Sequence, residues 1–357
     1  MGSLIPGLPD DMGWECLVRV KLNAHHILRC VCKSWNDALK SPHFYQERKR
    51  LKISEQRICM LLCREDIRDR VVVYDPENNS CKTLPAIPGK NDAMFCCHFV
   101  KQKLVLIADY NFDHTRRCMW LYDFACSKWR KGAKLPYCRN FSRFASAVDE
   151  AEGLIYVGGG YCSSDNRRWY RKGRGYCRFH NGGVRKVFGK PVRSASVYNV
   201  EKNKWYHLPD MNTCMEFHSG HFVDGKFYVM GPSNSFEVFD SYTRSWKTME
   251  NSFDTPHFVS GFGRFYCLSG SGLIEYDYKQ DKLHIVGPVP TEGWCRFTHC
   301  AVVGNKIFVS KQDHTIEGRC FYMLTPPSET RGTVEVIRIK RSSGLQDELT
   351  GAATLDL

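Results

Sequence analysis

Apolar residues run along this chain in two different rhythms. Over the first 50 residues they fall three and four apart: Met12, Trp14, Cys16, Leu17, Val18 and Val20 in one set, then Ile27, Leu28, Val31, Cys32 and Trp35 in a second. That period belongs to helices. Asp10 or Asp11 suits the cap of the first, and Ser41-Pro42 offers a cap and a first-turn proline for a third helix through about Arg50. Three short helices bury little surface alone, so a partner or the following domain is expected to cover them.

From about residue 56 to 340 the rhythm shortens to β-branched and aromatic runs such as Val71-Val72-Val73 and Phe236-Glu237-Val238-Phe239, which predict strands. One frame recurs through them. Tyr122-Asp123 leads to Trp129, Tyr74-Asp75 to Cys81, Tyr198-Asn199 to Trp205, Phe239-Asp240 to Trp246 and Tyr276-Asp277 to Leu283, each with the same step from the Asp or Asn to the second anchor. The short acidic or amide side chain can bond the backbone two residues on, which turns the strand back as a hairpin. A second hairpin type, with Asp224-Gly225 between apolar runs, alternates with the first.

Together they form four-stranded units at a period of about 40 to 50 residues, the mark of radially repeated blades. The fold class is therefore mainly β: a three-helix module followed by a β-propeller of six blades. The first blade, Arg57 to Leu84, is short at its start; the last runs from Thr298 to about Lys340, and its strand-like Thr333 to Ile339 is expected to complete the first and close the ring. The division is 1–50 for the helices, 51–340 for the propeller and 341–357 for a flexible tail with little apolar periodicity.

The first residues lack the features of a secretory signal and no 18-residue apolar run occurs, which predicts a soluble protein of the cytoplasm or nucleus with no membrane partner. The eighteen cysteines then read as thiols, many of them inside apolar strands. The net charge of +13 is concentrated in residues 161–190, where nine Lys or Arg stand against Asp165. This insertion separates the second and third strands of its blade, so it belongs on the face of the inter-blade connections near Asn91, Arg139, Asn212, Phe253 and Trp294.

Arg167, Arg168, Trp169, Tyr170, Arg171 and Lys172, with Trp294, are the candidate substrate-binding residues, suited by charge and aromatic area to a target protein with an acidic surface. A solvated loop is the plainer reading. Nuclear import or nucleic-acid contact is a third, resting on weak basic clusters.

The helical stretch, with Leu8-Pro9-Asp10-Asp11, then Glu15 to Val20, then Val31-Cys32-Lys33-Ser34-Trp35-Asn36, resembles the F-box motif over roughly residues 4–48. One departure is Lys21, where relatives usually carry Pro. The repeats resemble kelch repeats, with Val157-Gly158-Gly159-Gly160 keeping the paired glycines in full and Met230-Gly231 and Ser269-Gly270 reduced. The resemblance implies a plant-type F-box/kelch protein: a non-catalytic substrate receptor of an SCF ubiquitin ligase, without cofactors. By the same resemblance Leu8, Pro9, Leu17, Leu28, Val31 and Trp35 would contact the Skp-type adaptor, and through it the cullin-RING ligase.

Two alternatives stand beside this. One is a kelch scaffold outside the ubiquitin system. The other is a metal-dependent kelch enzyme, for which His98, His218, His221, His257 and His299 near the blade starts would be ligand candidates. His25-His26 with Cys30 and Cys32 lacks the second paired set of a zinc site, so no metal site is assigned.

Overall fold

The computed structural model describes residues 3–64, 67–88, 93–111, 119–136, 139–141, 144–162, 190–214, 219–230, 236–249, 258–261, 264–269, 272–280, 282–288, 297–312, 319–326, 334–339 and 348–357. Helices come first: α1 (Asp10–Val18), a 3-10 turn (Leu22–Ala24), α2 (His25–Leu28), α3 (Lys33–Lys40) and α4 (Pro42–Arg50). The second apolar set, expected as one helix, is thus split. Cys32 takes an extended conformation, φ −159° and ψ 169°, between α2 and α3. Neither Asp10 nor Asp11 caps α1; Pro9 holds the cap position and both carboxylates lie in the first turn, where they complement the helix dipole. Ser41 caps α4 as the sequence predicts, its Oγ accepting from Phe44 N at 3.2 Å, with Pro42 in the first turn.

Six four-stranded antiparallel sheets follow. Blade 1 holds β1 (Gln56–Arg64), β2 (Ile67–Asp75) and β3 (Ser80–Thr83), and blade 2 holds β4 (Ala93–Val100), β5 (Lys103–Asn111), β6 (Met119–Asp123) and β7 (Lys128–Lys131). A short β8 (Arg139–Phe141) precedes blade 3, which is β9 (Ala145–Asp149), β10 (Leu154–Gly158), β13 (Ala195–Asn199) and β14 (Lys204–Leu208), interrupted by β11 (Tyr161–Cys162) and β12 (Lys190–Pro191). Blade 4 is β15 (Ser219–Val223), β16 (Lys226–Met230), β17 (Phe236–Asp240) and β18 (Ser245–Met249). Blade 5 is β19 (Phe258–Gly261), β20 (Arg264–Ser269), β21 (Gly272–Asp277) and β22 (Lys282–Gly287). Blade 6 is β23 (Phe297–Val303), β24 (Lys306–Gln312), β25 (Arg319–Thr325) and β26 (Glu335–Ile339).

Ring closure corrects two expectations. The Val334 to Ile339 segment does not complete blade 1; as β26 it pairs with β25 and is the outer strand of blade 6. Blade 1 is completed instead by β27 (Glu348–Asp356), inside the segment expected to be a flexible tail. It pairs antiparallel with β1 from Gln56↔Asp356 to Cys63↔Glu348. Gly351, Ala352, Ala353 and Thr354 take part in this ladder without strong apolar alternation, held by backbone pairing to β1. The inner strands touch in the order β27, β4, β9, β15, β19, β23 and back to β27. The crowding is visible at Gly220 of β15, where a Cβ would run into the backbone of Ser146 of β9.

The core is a ring of inter-blade seams. Tyr156, Ala147 and Val197 of blade 3 pack on Phe227, Val229 and Phe239 of blade 4, and equivalent clusters fill each of the other five junctions. The recurring frame explains how each hairpin is held. Asp75, Asp123, Asp240 and Asp277 each accept two backbone N–H groups from the turn through Oδ1, and Asn199 accepts one. The residue four positions on then turns left-handed, at Asn79, Ser127, Asn203 and Arg244, with φ 47° to 56°.

The second anchor reaches the neighbouring blade's connection. Indole N–H groups donate from Trp129 to Pro85 O (2.7 Å), from Trp205 to Ala133 O (3.3 Å) and from Trp246 to Pro209 O (2.8 Å). Leu283 holds this position in blade 5 and has no such donor; it is left 48% exposed beside Ile285 at 65%.

Strand direction divides the propeller into two faces. One carries the first and third turns of each blade, and the helical module sits there: Lys49 meets Glu150 at 2.5 Å and Arg29 donates to Phe124 O at 3.2 Å. The opposite face carries the second turns and the inter-blade connections. There β11 pairs with both β12 and β8, a small extra sheet at the root of the basic insertion. Among the described residues, no helix is long and apolar enough to cross a membrane.

Candidate docking site on the helical module

Five of the six apolar positions of the first set, read together from spacing, fall in α1 and divide between its two faces, Val20 lying beyond its end. Leu17 and Val18 point inward, with Leu39, Phe44 and Tyr45, to form the module's own core. Trp14 closes its edge, stacked on His43 at 5.3 Å and edge-on to Phe44 at 5.8 Å. Pro9, Met12 and Cys16, spaced three and four apart, share the other face and are exposed, Met12 by 53%. Ile27 and Val31, also four apart, are 59% and 56% exposed. Three large apolar side chains left this open on a module of about 50 residues are side chains that a partner can cover.

The residues expected to touch an adaptor therefore separate. Pro9 and Val31 are exposed and Leu8 is half-buried, so these can meet a partner. Leu28 and Trp35 are half-buried against the internal core, and Trp35 Nε1 donates to Leu4 O at 2.7 Å, tying the leading segment to α3. Leu17, only 2% exposed, packs its side chain into the module core with Phe44 and its neighbours. Met12 and Ile27 were visible in the sequence as members of the helical sets, but not as outward-facing. The signal lies in their register, since Met12 and Cys16 sit four apart, away from Trp14, Leu17 and Val18.

The module also carries exposed cations, Arg19, Lys21, Lys33 and Lys40, with Arg19 paired to Glu15. The Cys32 thiol is exposed; the Ser34 hydroxyl at 3.1 Å and then the Trp35 backbone N–H lower its pKa. His25, in contrast, is turned inward, and burial pulls its pKa down to about 4 against the opposing effect of Val20 O at 3.0 Å. Burial likewise raises the Tyr45 phenol. With His25 occupied by Val20 O and Cys30 Sγ directed at His26 O, these residues do not gather around a point. Among the described residues, no group of three or more His, Cys, Asp or Glu stands ready to hold a metal.

Arg167, Arg168, Trp169, Tyr170, Arg171, Lys172 and Trp294 lie outside the described residues, as do His218 and His257. On the propeller face opposite the module, the inter-blade connections entering blades 3 and 4 are described in part. The backbone of β8, in the connection entering blade 3, pairs with β11, so the insertion departs from the inter-blade face as its place between second and third strands requires. Glu237, fully buried in β17, holds the next connection by accepting from Asn212 N (2.8 Å), Thr213 N (2.6 Å) and the Thr213 hydroxyl. His98 and His221 are used inside the blades: His98 Nε2 lies 2.8 Å from Ser146 Oγ, and His221 packs 5.2 Å from the Phe265 ring.

A four-helix module with exposed apolar side chains is mounted on a six-bladed propeller. A family model for the F-box domain matches residues 5–47. Three Arabidopsis thaliana proteins are similar over most of the chain. F-box/kelch-repeat protein At1g80440 is 25% identical over 348 residues, covering 88% of this chain and 90% of its own length. F-box/kelch-repeat protein At1g67480 is 25% identical, covering 92% and 84%. F-box/kelch-repeat protein SKIP30 is 26% identical, covering 79% and 74%. Among solved structures, TolB from Acinetobacter baumannii superposes with a TM-score of 0.52 at 12% identity, over 84% of this chain and 66% of that one, a likeness of fold alone. The chain carries an F-box domain at residues 5–47 and is similar along most of its length to plant F-box/kelch-repeat proteins.

Proposed function

We propose that this protein is the substrate-recognition subunit of an SCF-type ubiquitin ligase, binding a Skp-type adaptor through its helical module and a target protein through the propeller. The observation that carries this is the open apolar face, Pro9, Met12, Ile27 and Val31, on the segment that matches the F-box domain. Burying such side chains in an interface contributes roughly 1.5–3 kcal/mol each when coverage is complete.

The role is positional and the chain itself is not catalytic. Docking at one end and capture at the other raise the effective concentration of target lysines near the conjugating enzyme held by the cullin-RING assembly. The inter-blade face, opposite the module, is the surface for the target. The basic insertion that departs from it suits an acidic protein surface, and the site of action is the cytoplasm or nucleus.

Co-purification with a Skp-type adaptor tests the reading. A stoichiometric complex is expected, abolished by joint substitution of Leu8 and Pro9 while the propeller keeps its melting transition. No complex with the unaltered chain would move the protein to the class of propeller scaffolds outside the ubiquitin system.

A further inference from the structure

One carboxylate sits where the module, blade 1 and the closing strand meet. Glu55 follows α4 and precedes β1. Its backbone N–H donates to Leu357 O at 2.7 Å and its carbonyl accepts from Leu357 N at 3.2 Å, just beyond β27. Its Oε1 accepts from Leu22 N at 2.7 Å and from Arg48 Nη2 at 3.1 Å; its Oε2 accepts from Arg57 Nη2 at 2.5 Å. Arg57 also stands 3.0 Å from Asp75 Oδ2, the corner carboxylate of blade 1.

Arg48 is an internal strut. Its side chain is 1% exposed, and it donates to Val18 O and Val20 O at 2.7 Å each and to Ile53 O at 3.2 Å. The module thus presents a buried guanidinium to the joint, blade 1 presents a second, and Glu55 lies between them. Without that carboxylate Arg48 would lose its ion-pair partner and Arg57 would keep Asp75 alone, a costly arrangement for two buried cations at one joint. Around the joint, Arg29 reaches Phe124 O of blade 2, and Lys49 reaches Glu150 of blade 3 and Asp356 of β27 at 3.6 Å.

We infer that Glu55 is a positioning residue: it fixes the F-box module in one orientation on the propeller, and does so through the same joint that receives the closing strand. Orientation of the docking surface is thereby tied to completion of the ring. The consequence for ubiquitin transfer rests on the receptor reading above, because a fixed angle sets the distance from adaptor to captured target. The joint itself does not depend on that reading.

The test is a distance measurement on the full chain, with spin labels on non-natural side chains at the exposed positions Lys40 and Lys202, on the module and on a blade 3 turn. The unaltered chain is expected to give one narrow distance. Glu55→Ala and the isosteric Glu55→Gln are expected to lose it for a broad or two-peaked distribution, while near-ultraviolet circular dichroism and affinity for a Skp-type adaptor are retained. Should Glu55→Ala lose its near-ultraviolet signal, Glu55→Gln carries the test. A distance that stays single and narrow in folded Glu55→Gln overturns the inference, even if its melting temperature drops. Failure of the unaltered chain to bind the adaptor would overturn the receptor reading and leave the distance result to be judged alone.

Discussion

The propeller and the helical module handle apolar surface differently. Around the ring every blade has two neighbours, so Tyr156, Phe227 and Phe239, or Phe308 and Phe321, are buried from both sides of a seam. In the module the Phe44 side is closed in the same way, but the Met12, Ile27 and Val31 side has no neighbour. A ring completes itself by symmetry. A cluster of short helices on one turn-bearing face does not, and it leaves apolar side chains uncovered.

Deleting residues 348–357 should have the largest effect, because it removes the inner strand of blade 1 and opens two seams together. Loss of the single cooperative thermal transition of the propeller is expected, and an unchanged melt would contradict the assigned closure. Next is Phe44→Ala, which empties the closed side of the module; a cost of about 3–5 kcal/mol, read by chemical denaturation, is the usual range for a buried Phe.

Acid should strain both regions. Burial holds His25 in the module down to about 4 and His221 in blade 4 down to about 3, against 6.5 when exposed. Both are neutral in the folded protein, so their contribution is complete above pH 6.5. It is lost as pH falls from there towards about 4 for His25 and about 3 for His221. The slope is at most about 1.4 kcal/mol per pH unit for each histidine. A denaturation midpoint that is flat across this window in wild type, or one whose slope is unchanged by His25→Gln, would count against it.

A smaller effect is expected at a single seam. Trp129→Phe keeps the ring but loses the donor to Pro85 O, at a cost of about 1 kcal/mol. Equivalent loss from Leu283→Ala, where no indole donor exists, would show that packing alone, not the hydrogen bond, sets the value.

Much of the propeller was legible because one chemical device repeats. An Asp or Asn that accepts turn N–H groups, a left-handed residue four on and an anchor two further force a constant spacing, and spacing survives in sequence. Closure was not legible for the converse reason. The inner strand β9 carries small residues at Ala145-Ser146-Ala147, and Ala352-Ala353-Thr354 of β27 has the same character without the apolar alternation that marks a strand.

The docking face was half legible. Spacing identified helical residues, but which of Met12 or Leu17 faces outward depends on α4 packing from one side, and Phe44 and Tyr45 belong to a helix 25 or more residues away in the chain. The split at Cys32 had no clear mark in composition either.

The most direct measurement compares the two sides of the module. Ile27→Asp with Val31→Asp should leave folding stability within about 0.5 kcal/mol, as surface changes do, and should abolish capture of a purified Skp-type adaptor by the full chain. A stable doubly substituted chain that still binds the adaptor with undiminished affinity would contradict the central claim that the open apolar face of the F-box module is its docking surface.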